Sequence, residues 1–181
     1  MFDKDLNLYH AFIFGDPTAT ETMIAQYSDK LIRLAYLYTK DSAAAEDIVE
    51  DSFALMLVKE KVFEDASDVK AYLYRIVRNK SIDYLRRKRK KVPIEDVEEI
   101  LHTPSFERII ERNDQFRVLY EGMAKSPSQY SNVLYLAYFD NFPVEEICKI
   151  TGKSKKQIYN LLARAKASLK PLLKGASDSE K

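Results

Sequence analysis

The spacing of the apolar residues limits the possible folds more than any other feature of this chain. Apolar side chains recur every three or four positions over long stretches, which places them on one side of an α-helix. The first clear example covers residues 20–39 and follows the helix-start signal Asp16-Pro17. Only four of the 181 residues are glycine, which disfavours an all-β fold with many tight turns. The sequence therefore predicts an all-α protein.

Capping residues and breaks in the apolar pattern predict six further helices. Asp41 and Ser42 are candidate N-caps for the second helix. Pro143 and Gly152 bracket a short helix closer to the other end of the chain. The acidic stretch 92–104 breaks the pattern and is interpreted as part of a linker between two helical domains. The predicted helices cover 43–59, 69–90, 105–125, 130–139, 144–151 and a last segment that begins after Ser154.

Charge is distributed in blocks, although the net charge is only +1 from 29 basic and 28 acidic residues. Residues 69–91 and 149–181 are strongly basic, whereas 41–68 and 92–148 are strongly acidic. This alternation suits a protein that meets a polyanion at two places and a basic protein surface elsewhere. For any single block, a solvated helix face is the alternative.

The helix over 43–59 has two different faces. One face, which includes Ala45 and Met56, is predicted to pack on the preceding helix. The other face is acidic but contains two large apolar side chains, as protein interfaces with a charged rim do. Packing of Phe53 and Leu57 on another helix of the same domain is the alternative. The residues of this acidic face are Glu46, Asp47, Glu50, Asp51, Phe53 and Leu57.

The helix over 69–90 is apolar on one side and cationic on the other. Every residue from 86 to 91 is basic, and neutralisation of phosphates is the simplest use of such a run. Tyr72 and Tyr74 flank the first turns, where their rings either stack on bases taken out of a duplex or close the core. The outward-facing residues are Arg75, Arg78, Asn79, Ile82, Arg86 and Arg89.

The C-terminal part of the chain contains the clearest local motif. A short helix, a turn at Gly152 and a basic helix form the pattern of a helix-turn-helix. The second helix of that motif enters the major groove, where Lys, Asn and Arg reach base edges and phosphates. A plain pair of helices with a solvated basic face is the alternative. The candidate DNA-contacting residues are Ser154, Lys155, Lys156, Tyr159, Asn160 and Arg164.

These stretches together resemble the bacterial RNA polymerase sigma factors of the extracytoplasmic-function class. Residues 45–53, AEDIVEDSF, are similar to that family's A-E-D-[LI]-V-Q-[ED]-x-F. Residues 71–87 are similar to its W-L-Y-R-I-A-R-N…[LI]-D-x-L-R-R. Residues 138–147 and 152–166 resemble Y-F-E-G-[LF]-S-Y-E-E-I and G…L-x-R-A-[RK]. The order and spacing of these motifs make the resemblance specific, and it extends over most of the chain.

The resemblance implies an all-α fold with two small helical domains. Region 2 of the sigma factor is expected in 1–91 and the region 4 helix-turn-helix in 113–175, with a linker over 92–112 and a tail over 176–181. The implied function is to direct core RNA polymerase to promoters and to help open them, without making or breaking a bond. The implied partners are the polymerase core, through its β′ clamp coiled coil and β flap, promoter DNA and an anti-sigma factor.

The resemblance also implies a role for each candidate surface. The acidic face is expected to grip the β′ clamp, and the helix-turn-helix residues to read the minus-thirty-five element. The helix from Lys70 to Arg89 is expected to bind the minus-ten element. The loop 64–68 is expected to hold an extruded non-template base, whose unstacking costs energy that the pocket must return. The minus-ten candidates are Glu64, Asp65, Ala66, Ser67, Asp68, Tyr72, Tyr74, Arg75, Arg78, Asn79, Arg86 and Arg89.

The chain departs from the family pattern at several positions. Tyr72 replaces a common Trp, and Glu50 replaces the usual Gln, which makes the acidic face more anionic. Cys148 replaces a small Ala and is interpreted as a core residue rather than a redox sensor. Residues 157–160, QIYN, differ from the common T-V-K-S. The promoter sequence therefore does not carry over from relatives.

The sequence disfavours several classes of function. One cysteine and two distant histidines form neither a disulfide framework nor a zinc site. There is no glycine-rich phosphate loop or catalytic triad, so no enzyme activity, cofactor or metal is expected. Without a long apolar run or a signal peptide, the chain is expected in the cytoplasm, not inserted in a membrane. A free-standing helix-turn-helix regulator is the alternative function, but such a protein has no need of the acidic face.

Overall fold

The structure is a computed structural model, and it describes residues 3–91 and 114–178. Every regular element in these two ranges is helical, which confirms the all-α prediction. A π-helical turn, Tyr135–Phe139, continues directly from the sixth helix. The helices are α1 (Lys4–Ile13), α2 (Pro17–Thr39), α3 (Ser42–Lys59), α4 (Ala66–Lys91), α5 (Asp114–Lys125), α6 (Ser128–Leu134), α7 (Val144–Thr151) and α8 (Lys155–Asp178).

The predicted domain boundaries are only partly described. Residues 92–112, the predicted linker, lie outside the described residues, as do 179–181 of the predicted tail. Residues 176–178 of that tail belong to the end of α8. The bounds 1–91 and 113–175 for the two domains therefore stay predictions.

Side-chain caps begin α2 and α3 at the residues that the sequence indicates. Asp16 Oδ1 accepts a hydrogen bond from the Ala19 amide at 2.7 Å, with Pro17 in the first turn. Asp41 Oδ1 accepts a hydrogen bond from the Ala44 amide at 3.1 Å. Each bond satisfies an amide that the helix itself leaves unpaired. α2 consequently begins three residues before the predicted start.

α1 is a helix that the apolar pattern of the sequence does not predict. Asp3 caps it by accepting a hydrogen bond from the Asp5 amide at 3.0 Å. Tyr9, Phe12 and Ile13 bury their side chains against the other helices. At ten residues, α1 is too short for its apolar spacing to be distinctive. Its presence adds a fourth helix to the N-terminal unit, which comprises α1 to α4.

α2 lies at the centre of the molecule. All five residues from Leu34 to Tyr38 are buried, which requires neighbours on every side of the helix. α3 and α4 pack on α2 within the N-terminal unit, and α5 and α6 approach it from the C-terminal unit, which comprises α5 to α8. This central position explains why the apolar residues of α2 extend beyond a single stripe.

A wide turn connects α6 to the helix-turn-helix. The Asp140 amide donates to the Tyr135 carbonyl at 3.1 Å, and the Phe142 amide donates to the Leu136 carbonyl at 2.9 Å. α7 then runs to Gly152, whose φ of 71° lies in the left-handed region that glycine adopts at no steric cost. α8 follows after a short connection, so the predicted helix-turn-helix is formed by α7 and α8.

The two units pack directly on each other. α7 lies on α4, and the rings of Phe142 and Tyr74 meet edge-on with their centroids 4.8 Å apart. The Tyr120 hydroxyl donates to the Arg33 carbonyl at 2.6 Å, and the Tyr135 hydroxyl donates to the Lys30 carbonyl at 3.0 Å. The contact thus combines ring packing against α4 with hydrogen bonds to the backbone of α2.

Candidate protein and nucleic-acid interfaces

The structure buries one of the two apolar residues that the sequence predicts to lie on the acidic face of α3. Phe53 is only 6% exposed, and its ring meets that of Phe12 in α1 edge-on, with centroids 6.2 Å apart. Packing within its own domain, the alternative left open by the sequence, is therefore the correct interpretation of Phe53. Leu57 is half-buried. The acidic members stay near the surface, since Asp47, Glu50 and Asp51 are exposed and Glu46 is half-buried.

Val58 is the large apolar residue that α3 exposes. Its side chain is 80% exposed, and it follows Ala54, which is also exposed, by one turn. Lys80 of α4 borders the same surface, with its Nζ 3.6 Å from Asp51 Oδ2. Spacings of three and four place these residues on one side of the helix. This acidic strip consists of Asp47, Glu50, Asp51, Ala54 and Val58.

The cationic side of α4 is at the surface, as its periodicity predicts, with one residue set deeper. Arg78 is half-buried and donates from Nη1 to Asn79 Oδ1 at 3.2 Å. Burial raises the pKa of Tyr38, and the neighbouring Arg78 guanidinium partly opposes that rise. Arg78 is therefore held against the core as well as near the surface. The exposed candidates on this side are Arg75, Asn79, Arg86 and Arg89.

Tyr72 and Tyr74 lie in different surroundings. Tyr72 is half-buried, and its ring centroid is 5.1 Å from that of Phe63. Tyr74 is completely buried against Phe142 of the C-terminal unit, and burial raises its pKa far above the usual value. Of the two roles that the sequence leaves open, Tyr74 therefore closes the core in this arrangement. Only Tyr72 is near enough to the surface to meet a base.

The predicted base-holding loop is shorter than 64–68, because α4 begins at Ala66. Asp65 Oδ1 accepts a hydrogen bond from the Ser67 amide at 2.7 Å, and hydrogen bonds from Ser67 hold the pKa of the Asp65 carboxyl below its usual value. Asp68 pairs with Lys149 of α7 at 2.6 Å, which raises the pKa of Lys149. Glu64 and Asp65 are exposed, whereas Ala66, Ser67 and Asp68 are half-buried in the first turn of α4.

Ionisable residues line the contact between the two units. Burial raises the pKa of the Asp140 carboxyl, and the nearby Tyr74 hydroxyl and the Lys30 and Lys70 ammonium groups partly offset this rise. Burial also lowers the pKa of Lys70, while Asp140 opposes that shift. The Lys70 Nζ lies 4.2 Å from the centroid of the Phe142 ring. The Lys70 ammonium group and the Asp140 carboxyl thus lie beside the rings of Phe142 and Tyr74 at the contact between the two units.

The helix-turn-helix presents its basic helix to solvent. Ser154 and Gln157 cap α8 reciprocally, since each backbone amide donates to the side-chain oxygen of the other residue, at 2.9 and 3.3 Å. Lys155 reaches back to Glu145 of α7 at 2.6 Å. Ile158 and Ala165 are buried, so the opposite side of α8 faces outward. All six candidates are exposed, namely Ser154, Lys155, Lys156, Tyr159, Asn160 and Arg164.

The described ranges, 3–91 and 114–178, contain neither a cluster of metal ligands nor a membrane-spanning helix. Within them, no cluster of three or more His, Cys, Asp or Glu side chains is placed to hold a metal ion. No helix in the same ranges combines the length and the apolar character that crossing a membrane requires. Cys148 is a half-buried free thiol.

Comparisons with protein families match two separate parts of the chain. The family model described as "Sigma-70 region 2" matches residues 23–91. The model described as "Sigma-70, region 4" matches residues 118–169. The first match covers most of α2 and all of α3 and α4, and the second covers most of the C-terminal unit. All the candidate DNA-contacting residues of α4 and α8 therefore fall inside matched regions.

Individual proteins match over most of the chain. RNA polymerase sigma factor SigV of Bacillus subtilis is 29% identical over 146 residues, which cover 80% of this chain and 84% of that protein. ECF RNA polymerase sigma factor SigM of the same organism is 28% identical over 159 residues, or 84% and 94% of the two chains.

Solved structures share the fold. CnrH, in its complex with the cytosolic domain of CnrY, has a TM-score of 0.67 at 22% identity, over 96% of this chain and 99% of that one. The sigma factor RpoE of Bartonella quintana, in complex with the anti-sigma factor NepR, has a TM-score of 0.64 at 23% identity, over 86% and 96% of the chains.

Proposed function

The chain belongs to the extracytoplasmic-function class of RNA polymerase sigma factors, whose members direct core polymerase to promoters, and we propose that three of its surfaces divide this task. One observation carries the proposal. Each of the two sigma regions presents an exposed cationic helix, and a separate helix presents an exposed acidic strip. Surfaces of opposite charge recruit different partners, so the cationic helices suit DNA and the acidic strip suits a basic protein surface.

We propose that the acidic strip of α3 docks on the β′ clamp coiled coil. Val58 supplies an apolar contact at one end of the strip, and Asp47, Glu50 and Asp51 supply carboxylates two to three turns before it on the same side of the helix. Protein interfaces usually combine apolar and charged contacts in this way. Glu46 and Leu57 lie at the border of this surface. Phe53 is excluded from it, because Phe12 covers its ring.

The cationic side of α4 is the proposed minus-ten surface. Its exposed guanidinium groups neutralise phosphates, which supplies affinity that falls as salt rises. Tyr72 and the first turn of α4 lie beside each other and form the proposed site for an extruded base. Tyr74 joins that site only when the C-terminal unit moves away from α4.

The basic helix α8 is the proposed minus-thirty-five reader. Its N-terminal half carries the exposed Lys155, Lys156, Tyr159 and Asn160, which is the part of a recognition helix that reaches base edges. Arg164 lies one turn further on and is assigned to a phosphate or a base at the end of the half-site. The C-terminal unit is also the proposed contact for the β flap.

The remaining proposals rest on the family to which the chain belongs, and not on a particular surface of the structure. The chain is proposed to catalyse no reaction itself, since promoter recognition needs binding and base extrusion alone. It is proposed to act in the cytoplasm, where core polymerase and promoter DNA are found. Both solved structures compared above are complexes, one of them with an anti-sigma factor, and we extend such a partner to this chain.

Run-off transcription from a library of promoter-like fragments tests the proposed function. Core polymerase is used with the chain, without it, and with a variant that carries Asp51→Lys and Val58→Lys. We expect transcripts that share a two-element motif only with the unchanged chain, and a large loss with the variant, because both substitutions place cations on the docking surface. Circular dichroism verifies that the unchanged chain and the variant are both folded. Initiation that does not depend on the chain would then overturn the proposal.

A further inference from the structure

Two side chains of α1 form hydrogen bonds to the connection between α3 and α4, which leads into the proposed base site. The Tyr9 hydroxyl donates a hydrogen bond to the Lys61 carbonyl at 2.6 Å. His10 Nε2 lies 3.1 Å from the Phe63 carbonyl, where the ring nitrogen is the donor because a carbonyl only accepts. Both acceptors belong to the short connection between α3 and α4, so a helix distant in sequence holds this connection in place.

Aromatic contacts continue this link to Tyr72. The ring centroid of Phe63 is 5.7 Å from that of Tyr9 and 5.1 Å from that of Tyr72. The Lys61 Nζ lies over the two half-buried rings, 4.8 Å from the Phe63 centroid and 5.0 Å from the Tyr72 centroid. Tyr9 is completely buried, while Phe63 and Tyr72 are half-buried. The cluster therefore begins in the core and ends at the surface beside the base site.

We propose that α1 positions the base-holding loop and that Tyr9 and His10 thereby determine which base the loop accepts. They act as positioning residues, since neither has to touch DNA. This inference rests on the proposed function, in which the start of α4 holds an extruded base. It concerns a helix that lies before the matched region 2, which begins at residue 23.

Two physical arguments support the assignment. First, base discrimination depends on hydrogen bonds that weaken steeply with distance and angle, so the loop must be held within a fraction of an ångström. Second, the connection begins at Glu60, an exposed residue with φ of 45°, and continues through the exposed Lys61 and Val62. Because these residues are not buried, the hydrogen bonds from Tyr9 and His10 are what fix the connection to the rest of the unit. Burial raises the pKa of Tyr9 to about 12, so its hydroxyl keeps its proton, and its hydrogen bond, at neutral pH.

Four variants separate positioning from general destabilisation. Tyr9→Phe removes one hydroxyl, and His10→Ala removes the second donor. His10→Gln keeps an N–H donor and serves as the conservative rescue. Tyr84→Phe is the matched control, because the Tyr84 hydroxyl also bonds within the N-terminal unit, donating to Asp41 Oδ2 at 3.0 Å, and burial raises the pKa of Tyr84 to about 12 as well.

The first readout is base selectivity of the complete holoenzyme. Affinity is measured on promoters that carry each of the four bases in turn at every non-template position of the minus-ten element. We expect Tyr9→Phe and His10→Ala to reduce the preference for the favoured base by about fivefold at one position, within the range of a single good base contact. His10→Gln and Tyr84→Phe are expected to keep the preference of the unchanged chain.

The second readout is amide hydrogen exchange of the full chain, which does not require DNA. We expect faster exchange over residues 60–68 in Tyr9→Phe and His10→Ala, with α8 unchanged. Unaltered exchange there, or unaltered base preference in a folded variant, would overturn the inference while leaving the proposed function intact. If holoenzyme with the unchanged chain shows no base preference at all, the proposed function fails and this inference fails with it.

Discussion

At the scale of single residues, Lys40 combines two unfavourable features. It ends α2 with φ of 53°, in the left-handed region that side chains other than glycine rarely adopt. Its Nζ is buried and has no hydrogen-bond acceptor among the described residues, 3–91 and 114–178. Burial lowers the pKa of Lys40 to about 8. Because the unfolded chain binds this proton more tightly, the free energy of unfolding rises with pH between about 8 and 10.5.

Replacing Lys40 with Met is expected to stabilise the protein at pH 7. Met keeps the apolar stem and removes the buried charge, so the free energy of unfolding should increase by an amount on the order of 1–3 kcal/mol. The gain should shrink as the pH of a urea titration is raised from 7 to 10, where folded Lys40 has already lost its proton. Glu60→Met is the matched control, because Glu60 has a similar φ of 45° but is exposed. A gain that is independent of pH would contradict the assignment to charge burial.

At the scale of elements, α1 accounts for the main difference between sequence and structure. The apolar pattern predicts α2 to α4 because each is long and because polar caps such as Asp16 and Asp41 mark two of their starts. Periodicity shows which residues of α3 are apolar, but it does not show what covers them. Phe12 of α1 covers Phe53, and the exposed face of α3 is therefore rotated toward Val58. The acidic residues remain exposed because carboxylates avoid burial without a partner.

Two substitutions on α3 distinguish the buried side from the docking side. Phe53→Ala is expected to lower the free energy of unfolding by about 3–5 kcal/mol, because it leaves a cavity beneath α1. Val58→Ala is expected to change it by less than about 0.5 kcal/mol, since the side chain is 80% exposed. Polymerase affinity should fall in the folded Val58→Ala protein, measured by competition for the core enzyme. Equal stability of the two variants would show that α1 does not cover Phe53 in solution.

On α8, Arg164→Ala is expected to weaken binding of a duplex that carries the minus-thirty-five element. If Arg164 contacts a phosphate, affinity should fall on all sequences alike, and the slope of log affinity against log salt should decrease by about one. Asn160→Ala, in contrast, should reduce discrimination between sequences while the salt slope stays unchanged. Both residues are exposed, so thermal unfolding should be the same for each variant. A sequence-specific loss in Arg164→Ala would instead assign Arg164 to a base edge.

At the scale of the whole molecule, the packing of the two units leaves one proposed DNA surface exposed and covers part of the other. α8 keeps its basic side in solvent, whereas α7 covers the start of α4 and buries Tyr74 beneath Phe142. The sequence could not predict this contact, because Tyr74 and Phe142 are far apart in the chain. Phe142 also lies in the turn before α7, where no helical periodicity indicates which side chains it meets. Asp140 and Lys70 are likewise ordinary surface residues by type, but Asp140 is buried and Lys70 is half-buried where the two units meet.

The contact predicts that the free protein binds the minus-ten strand weakly until the units separate. Phe142→Ala removes the ring that covers Tyr74, so we expect several-fold tighter binding of a single-stranded minus-ten oligonucleotide, measured by fluorescence anisotropy without polymerase. Binding of a minus-thirty-five duplex should stay the same, because the basic side of α8 is already exposed to solvent. This measurement also verifies that the C-terminal unit is folded. Lys149→Ala breaks only the exposed ion pair with Asp68, which contributes little in water, so its effect should be much smaller. Equal oligonucleotide affinity for Phe142→Ala and the unchanged chain would mean that DNA reaches α4 without separation of the units.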